Sequence, residues 1–199
     1  MNSKPDLTSP LAKDITIKNN ILFFTKSCLS QWFGAYKGQE HKIEILPLLF
    51  NNSDLYWWSD VDKTSPPISF NCAEQAMMFY KALFFRDKET SEKILNEKNP
   101  KIQKDLGRQV KNYDDVAWVK HRFHAVKTIN LHKFKDNPEL KDFLLSTGNL
   151  IICESAPWDR VWGIGLSAVN PLAHDVSTWQ GQNLLGRVLM SIREELSHA

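Results

Sequence analysis

The stretch of sequence that decides the fold class is NCAEQAMMFYKALF, residues 71–84 of a 199-residue chain. Asn71 is a residue type that favours helix starts, and Glu74 stands three positions later, as in a capping box. Small and apolar residues recur through the stretch at helical spacing: Ala73, Ala76, Met77, Tyr80 and Phe84. The pattern predicts a helix that starts at Asn71 and packs its apolar side against a core.

Five further helices are predicted from apolar spacing, from charges in first turns and from residues that start or stop helices. Gly107 is expected to end one of them as its C′ residue, because glycine tolerates the left-handed backbone found there. The predicted bounds are Lys88 to Glu97, Pro100 to Gly107, Asp114 to about Phe134, Asn137 to Gly148, and Asn183 to Leu196.

Short β-prone runs complete the pattern. Ile21 to Phe24 and Leu150 to Cys153 predict brief strands, and His41 to Trp58 predicts a hairpin closed by turn residues. The polar lead, residues 1–20, predicts an N-terminal extension, which leaves residues 21–199 as one domain. These elements predict an α+β fold, predominantly helical, with a small β-sheet and a hairpin.

Charge and cysteine content exclude several classes of protein. The chain carries 25 Lys and Arg against 23 Asp and Glu, which argues against bulk electrostatic coating of nucleic acid. Fifteen of the basic residues and nine of the acidic ones lie between Lys81 and Lys141, a basic middle in which a few cations can hold phosphate. Three cysteines far apart in the sequence predict a reduced, cytoplasmic protein, and no apolar run approaches the length of a membrane span.

The sequence predicts neither a metal nor a cofactor. It contains no phosphate-binding loop, dinucleotide fingerprint, nucleophile elbow or zinc-protease motif. His121 and His124 have the spacing of one helix face, yet no third ligand stands at a recognisable spacing, so a surface or core role is expected for both.

The segment IICESAPWDRVWGIG, residues 151–165, concentrates chemistry at the exit of a predicted strand. Two carboxylates, two indoles and two glycines stand where irregular backbone can present side chains to a ligand. Asp159 with Trp162 would set a negative charge beside an aromatic face, an arrangement that holds a flat ring and a developing cation. The alternative is a packed loop in which Trp162 is a hydrophobic plug and Asp159 caps a turn.

Short motifs in a fixed order resemble a known family, the NADAR superfamily, whose YbiA-like members are N-glycosidases. The motifs are LSQWF at 29–33, CAEQ at 72–75 continuing to Lys81 and Ala82, LGR at 106–108, Trp118 with Arg122, KF at 133–134, LLSTG at 144–148, Glu154 with Asp159, WGIG at 162–165, and GQNLLG at 181–186 with Leu189, Met190 and Arg193. The resemblance covers roughly Ile21 to Leu196. It implies a single YbiA-like domain, which we assign to residues 21–199.

The resemblance also implies cleavage of the C–N bond between a ribose and a base-like amine, through a state in which the sugar becomes cationic. Glu74 and Asp159 occupy family positions and are the candidate catalytic carboxylates. Glu74 would orient the ribose hydroxyls or activate water, and Asp159 would stabilise the cationic sugar or handle the leaving amine, or these roles are exchanged. Helix capping is the alternative for Glu74.

Lys81 is the third catalytic candidate, two helical turns after Glu74 and on the same face. It would bind phosphate or, as the resemblance suggests, attack the opened sugar to form a transient Schiff base. The alternative is an ordinary helix lysine that extends its head to water.

The remaining candidates would bind the substrate: Gln31, Trp32, Arg108, Trp118, Trp162 and Gly163. Arg108 is expected to hold phosphate and the indoles to stack on a flat ring, with core packing as the alternative for Trp118. Glu154 is expected to support the site by hydrogen bonding. Trp158 and Trp179 have no clearer expected role than packing or the rim of the site.

The leading function is hydrolysis of the N-glycosidic bond in a ribosylated, phosphate-bearing small molecule, such as an intermediate of riboflavin biosynthesis. A related alternative is removal of ADP-ribose from guanine in an ADP-ribosylated nucleic acid, for which the basic middle segment leaves room. The alternative from another class is a binding module for ADP-ribose or a nucleotide without catalysis. Two carboxylates beside an anionic ligand weigh against a pure binder, and no membrane partner is expected.

Overall fold

The computed structural model describes residues 5–35, 41, 43–45 and 66–198. Most of the predicted hairpin, residues 46–58, lies outside these ranges. In chain order the α-helices and strands are β1 (Thr16–Lys18), β2 (Ile21–Phe24), β3 (Ile43–Ile45), β4 (Ile68–Phe70), α1 (Ala73–Phe84), α2 (Lys88–Asn96), α3 (Pro100–Arg108), α4 (Asp115–Lys135), α5 (Pro138–Ser146), β5 (Ile151–Glu154) and α6 (Leu184–Ser197).

The predicted fold class is confirmed. Helices dominate the described residues, and the strands there form one three-stranded and one two-stranded sheet. The predicted helix bounds lie within two residues of those in the structure. They agree because apolar spacing follows the face that a helix buries.

The chain divides into two compact units, and the first comprises Met1–Phe33 with Asn137–Ala199. Its sheet has the order β1-β2-β5, with β1 antiparallel and β5 parallel to β2. All four residues of β2 are buried, as expected of a central strand. Strand β1 comes from the polar lead, so residues 16–18 add an edge strand to this sheet, while the domain boundary at residue 20 stays a prediction.

Helix α6 covers the sheet of the first unit by packing against β5, and α5 packs against α6. The apolar face predicted for the last helix is the one that it buries: Leu185, Val188, Leu189, Ile192 and Leu196. This helix therefore holds the carboxyl end of β5, where the chemistry-rich segment begins.

The second unit, Gly34–Asp136, is helical and centred on α1, which packs against α2, α3 and α4. Ten of its twelve residues are buried, including the polar Glu74 and Gln75. A helix surrounded by others is buried on several sides, so the single apolar face predicted for it understates its burial. Strands β3 and β4 form an antiparallel pair in this unit.

The predicted helix start at Asn71 is wrong by one residue, and so is the capping role of Glu74. The N-cap is Cys72, which puts Gln75 and not Glu74 at the third helical position. Gln75 Oε1 accepts a hydrogen bond from Asn71 N at 2.7 Å. Gln75 Nε2 donates to the carbonyls of Ile94, Leu95 and Glu97 at 2.9–3.0 Å, which ties the start of α1 to the end of α2.

Gly107 does not end its helix, contrary to the prediction. Helix α3 continues to Arg108, and Gly107 is buried in its last turn. A Cβ atom at this position would overlap the side chain of Met78 on α1. The glycine is explained by the close approach of two helices, which a sequence does not display.

No helix in the described ranges is both long and apolar enough to cross a bilayer.

Candidate active site

The first unit presents two loops at one edge of its sheet. Because β2 and β5 are parallel, their last residues, Phe24 and Glu154, lie side by side. Gln31 and Trp32 follow β2 along the chain, and Asp159 to Gly163 follow β5. The carboxyl ends of parallel strands are where open sheets hold ligands, so this edge is a candidate binding site.

Asp159 is held by the backbone of its own loop. Its Oδ1 accepts hydrogen bonds from the amides of Val161 at 2.9 Å, Trp162 at 2.7 Å and Gly163 at 3.4 Å. This is the turn-capping arrangement that the sequence analysis set against catalysis. The other oxygen, Oδ2, makes no hydrogen bond within the described residues, so one carboxylate oxygen braces the loop and the second is available to a ligand.

The backbone of Asp159 is held as firmly as its side chain. Its amide donates to Ala156 O and its carbonyl accepts from Gly165 N, both at 3.1 Å. Gly163 is buried, and a Cβ there would come within 2.9 Å of Glu154 O and 3.0 Å of Asp159 O. Close packing thus accounts for the glycine, and its predicted contact with substrate stays a prediction.

Asn183 is a buried residue to which sequence analysis assigned only a helix start. It has left-handed backbone with φ 49°, its Nδ2 donates to Ile152 O at 2.9 Å and its Oδ1 accepts from Glu154 N at 3.3 Å. The following amides, of Leu184 and Leu185, donate to the carbonyls of Val161 and Trp162. The start of α6 is therefore hydrogen-bonded both to β5 and to the Asp159 loop. In the sequence, this position is marked by the GQNLLG motif.

The indoles of the first unit differ in exposure. Trp32 and Trp162 are half-buried, and Gln31 is buried. Trp179 packs against the core and its Nε1 donates to Ala173 O at 2.9 Å. Trp158 is 82% exposed, so core packing does not explain it.

Lys81 in the second unit is surrounded by aromatic rings. Its Nζ donates to Gly107 O at 2.8 Å and lies 4.1 Å from the ring centroid of Tyr113 and 5.9 Å from that of Trp118. Burial lowers the pKa of Lys81, with the charge of Asp115 acting to raise it and that of Arg108 to lower it. A lowered pKa favours the neutral amine that a nucleophile requires.

Arg108 is the last residue of α3, exposed, with its Nη1 3.0 Å from Asp105 Oδ1. A pair this exposed is weak and easily exchanged for another anion. Because Lys81 Nζ donates to the carbonyl of Gly107, the residue before Arg108, the two cations are neighbours. Together they form a candidate phosphate site.

Trp118 is packed more deeply than a stacking wall requires. It is 6% exposed, and its ring centroid lies 6.3–6.4 Å from those of Tyr80, Phe84 and Phe85. Core packing, the alternative in the sequence analysis, describes these surroundings, and contact with a substrate ring stays a prediction.

Glu74 lies in the first turn of α1 and is 3% exposed. Lys81 follows seven residues later, about 10 Å along the helix axis, so the two candidates occupy different stretches of α1. Beside Glu74 is the Cys72 thiol, whose pKa is raised to about 12 by burial first and also by the Glu74 charge, while the Lys133 charge acts to lower it.

Lys133 is the charged residue that sequence reasoning missed in this unit. It is fully buried in the last turn of α4, although it is a lysine on a long helix, where exposure is the usual expectation. Residues 133–134 form the KF motif of the family resemblance, for which the sequence predicts no role.

No group of three or more metal-ligating side chains occurs in the described part of the chain. His121 Nδ1 lies 2.8 Å from Ala117 O, and its ring packs 4.6 Å from that of Phe84. The imidazole is thus engaged with its own helix and with a neighbouring ring.

The chain matches one family model and is similar to several known proteins. Residues 22–197 match the NADAR domain. An N-glycosidase of Acanthamoeba polyphaga mimivirus is 48% identical over 124 residues, which cover 62% of this chain and 72% of that protein. A riboflavin biosynthesis protein of Vibrio vulnificus is 30% identical over 129 residues, 65% of this chain but only 32% of that protein.

A solved structure has the same fold. The NMR structure of the Escherichia coli protein YbiA matches with a TM-score of 0.62 at 20% identity, covering 95% of this chain and 92% of that one. At this identity the likeness concerns the fold alone, and it confirms the predicted YbiA-like architecture. The relatives named N-glycosidases agree with the predicted enzyme class, an N-glycosyl hydrolase.

Proposed function

The chain belongs to the NADAR family, and we propose that it hydrolyses the C–N bond between a ribose and an amine-bearing base in a phosphate-bearing small molecule. Relatives in Vibrio vulnificus and Zea mays are named riboflavin biosynthesis proteins. Their names support a ribosylated pyrimidine phosphate of that pathway as the substrate. Asp159 and Glu74 are the residues to which we assign the chemistry, and Lys81 is assigned to binding.

The observation that carries the proposal is the way Asp159 is held. Three backbone amides hold Oδ1, and the position of Oδ2 in the same carboxylate is thereby set. A carboxylate fixed before the substrate arrives stabilises a developing cation without the cost of reorganisation. We assign Oδ2 to the cationic anomeric carbon.

Glu74 is assigned to the water or to the ribose hydroxyls. In the proposed reaction the electron pair of the C–N bond leaves with the amine, and the oxygen of water adds to the anomeric carbon. One proton of that water passes to a carboxylate and then to the departing amine, so charge balances. The hydrogen bonds at the helix start are made by Gln75 and not by Glu74, which supports this role for Glu74.

The phosphate is assigned to Lys81 and Arg108. The guanidinium presents several donors in one plane, which suits bidentate binding of a phosphate. An anion there would also raise the lowered pKa of Lys81, because an opposite charge favours the ammonium. Lys81 would then act as a cation, and we do not assign it the Schiff base role.

Conservative variants test the assignment. Asp159→Asn retains an oxygen that can accept the three amide bonds, and Glu74→Gln keeps the shape of the side chain. Each is expected to lower kcat on the pyrimidine substrate by about 1000-fold. Asp175→Asn is the matched control, because Asp175 Oδ1 likewise accepts an amide, from Ser177 at 2.9 Å, in the same unit.

The measurement is release of ribose phosphate, followed by mass spectrometry. Parallel incubations contain ADP-ribosylated guanine in DNA and free ADP-ribose. Restored guanine would identify the nucleic-acid alternative, and binding without turnover would identify the non-catalytic one. An Asp159→Asn protein as active as the Asp175→Asn control would remove Asp159 from the reaction.

A further inference from the structure

A cavity of about 700 Å³ lies in the first unit, between the end of α5 and one side of α6. Its walls come from residues 145–149 and from residues 187–197. This volume is within the range of sites that bind small molecules. The cavity is therefore large enough for a molecule the size of a nucleotide.

The cavity and the Asp159 loop lie at opposite ends of β5. Arg193, one of the lining residues, donates to the carbonyl of Leu150, which precedes the strand. The Asp159 loop follows the last residue of the same strand. Four residues of strand span about 13 Å, so the cavity is separate from the candidate active site.

The guanidinium of Arg193 is held through one of its nitrogens. Nη1 donates to Thr147 Oγ1 at 2.8 Å and to Leu150 O at 2.9 Å, and both of these acceptors are uncharged. Nε and Nη2 form another edge of the group, and they make no hydrogen bond or ion pair with any residue that the structure describes. Two parallel donors on one edge suit bidentate binding of a phosphate or carboxylate.

The surroundings of Arg193 favour an anion. Thr147 is itself held, because its Oγ1 donates to Leu144 O at 2.6 Å in the last turn of α5. The guanidinium is thus oriented before a ligand arrives, which reduces the entropy lost on binding. Burial lowers the pKa of Arg193, and a nearby anion would raise it again by favouring the charged form.

Other polar side chains line the same cavity. Asn149 and Ser191 contribute an amide and a hydroxyl, neither of which is hydrogen-bonded to another side chain or carbonyl in the described ranges. Arg187 contributes a second cation and Glu194 a carboxylate. Two arginines and one glutamate give a net charge of +1, which suits an anion whose neighbouring hydroxyls can donate to Glu194.

We propose that this cavity is a binding site for a phosphate monoester of a sugar or nucleoside. The Nε and Nη2 edge of Arg193 binds the phosphate, and Arg187 adds positive charge to the same end of the ligand. Glu194 accepts hydrogen bonds from the sugar hydroxyls. This site does not rest on the proposed function, whose residues lie elsewhere.

Titrations of the wild-type protein with AMP, ribose phosphate and ribose test the proposal, followed by nitrogen–proton correlation NMR. Both phosphates are expected to shift the Arg193 Nε–H signal and the amide signals of Gly148 and Ser191, with a Kd of about 1 mM. Ribose lacks the phosphate and should shift none of them. A response to AMP alone would support a nucleotide site, and one to both phosphates a site for any sugar phosphate. No saturable shift with either phosphate would overturn the proposal.

Variants of the two arginines test the assignment of the phosphate. Arg193→Lys keeps a cation that can donate to Thr147 or Leu150 but loses the two-donor edge, so the Kd for AMP should rise about 10-fold. Arg187→Gln should raise it about 3-fold, because a more exposed charge contributes less. An unchanged Kd in Arg193→Lys would overturn the proposal. If that variant does not fold, an unchanged Kd in Arg187→Gln would do so.

A change of opposite direction is expected at the carboxylate. Glu194→Gln removes a negative charge from the cavity wall and keeps an acceptor, so AMP should bind about 3-fold more tightly. Glu139→Gln is the matched control, because Glu139 is an exposed residue of α5 that does not line the cavity. Equal tightening in the two variants would indicate a general effect of net charge and would overturn the assignment to this cavity.

Phosphate binding at the candidate active site is separated by Arg108→Gln. This variant should leave the AMP-induced shift of the Arg193 signal unchanged, and loss of that shift would overturn a separate site. If the wild type turns over none of the substrates, the proposed function fails, while the titrations still decide whether the cavity binds phosphate monoesters.

Discussion

The Asp159 loop of the first unit and the start of α1 in the second handle a carboxylate in opposite ways. Asp159 serves two purposes with one side chain, since Oδ1 braces three amides and Oδ2 remains open. At the start of α1 the purposes are divided: Gln75 makes the bonds to backbone, and the neighbouring Glu74 is buried beside Cys72. In the loop, nearby backbone amides hold the carboxylate of Asp159 directly. At the start of the helix, the hydrogen bonds to backbone are made by the neighbouring residue Gln75.

The largest effect is expected from glycines that permit close packing in the two regions. Gly181→Ala would push a Cβ into the carbonyl of Gly163 and the backbone of Arg160, which cannot turn aside. We expect a loss of about 3 kcal/mol in unfolding free energy, with reduced activity because the Asp159 loop shifts. Urea unfolding measures the first effect and turnover the second.

Gly107→Ala is the matched change in the helical unit. There the new methyl meets the flexible side chain of Met78, which can adopt another rotamer. We expect a loss of about 1 kcal/mol in unfolding free energy. If this variant were as unstable as Gly181→Ala, the two regions would not differ as described.

Gln75→Met should produce the next largest effect. It removes the bond from Asn71 N and those to three carbonyls at the end of α2, and leaves these partly buried groups unsatisfied. We expect about 2 kcal/mol less unfolding free energy, measured by urea unfolding. An unchanged unfolding free energy would show that Gln75 does not stabilise the start of α1. The contrast with Asp159 would then no longer hold.

Asp159→Ala and Asp159→Asn separate the two purposes of that side chain. The alanine variant loses the acceptor for three amides and should be about 1.5 kcal/mol less stable, whereas the asparagine variant should stay within about 0.5 kcal/mol of wild type. Both should lower kcat by about 1000-fold. Equal stability of the two variants would show that Oδ1 does not brace the loop.

The smallest effect is expected on the surface of the helical unit, at Glu89. Hydrogen bonds and charges from Lys111 and Lys93 lower the pKa of Glu89 from its usual 4.5 to about 2. A carboxyl with a lowered folded-state pKa stabilises the fold at neutral pH, and that contribution is lost as pH falls from about 4.5 towards 2. Glu89→Gln should flatten this part of the stability profile slightly, because the group is fully exposed.

Local pattern was sufficient to predict the helices and the two strands of the parallel pair. Apolar spacing located α4 and α6 because each buries a regular face, and Pro100 and Asp114 mark positions where helices start. The same reasoning failed at Gly107, because a glycine required for close helix packing and a C′ glycine look alike in a sequence.

The candidate site was predicted less completely. Asp159 and Trp162 fall in one loop as the motif suggested. The position of Lys81 beside the last turn of α3 was not predicted. The sequence contained no sign that Lys133 is buried or that Trp158 is exposed. Exposure depends on what distant segments cover, and a lysine or a tryptophan is compatible with either environment.

Local sequence was enough to predict which segments are helical, which family the motifs resemble and which residues are candidates for the site. These properties depend on neighbours a few positions away, through periodicity, capping and motif order. Three features became visible only in the folded chain: Asp159 Oδ1 accepts the amides of its own loop, Gln75 and not Glu74 makes the bonds at the helix start, and Lys133 is buried. Burial and hydrogen bonding between distant segments arise from packing, which sets the free energy of a charge.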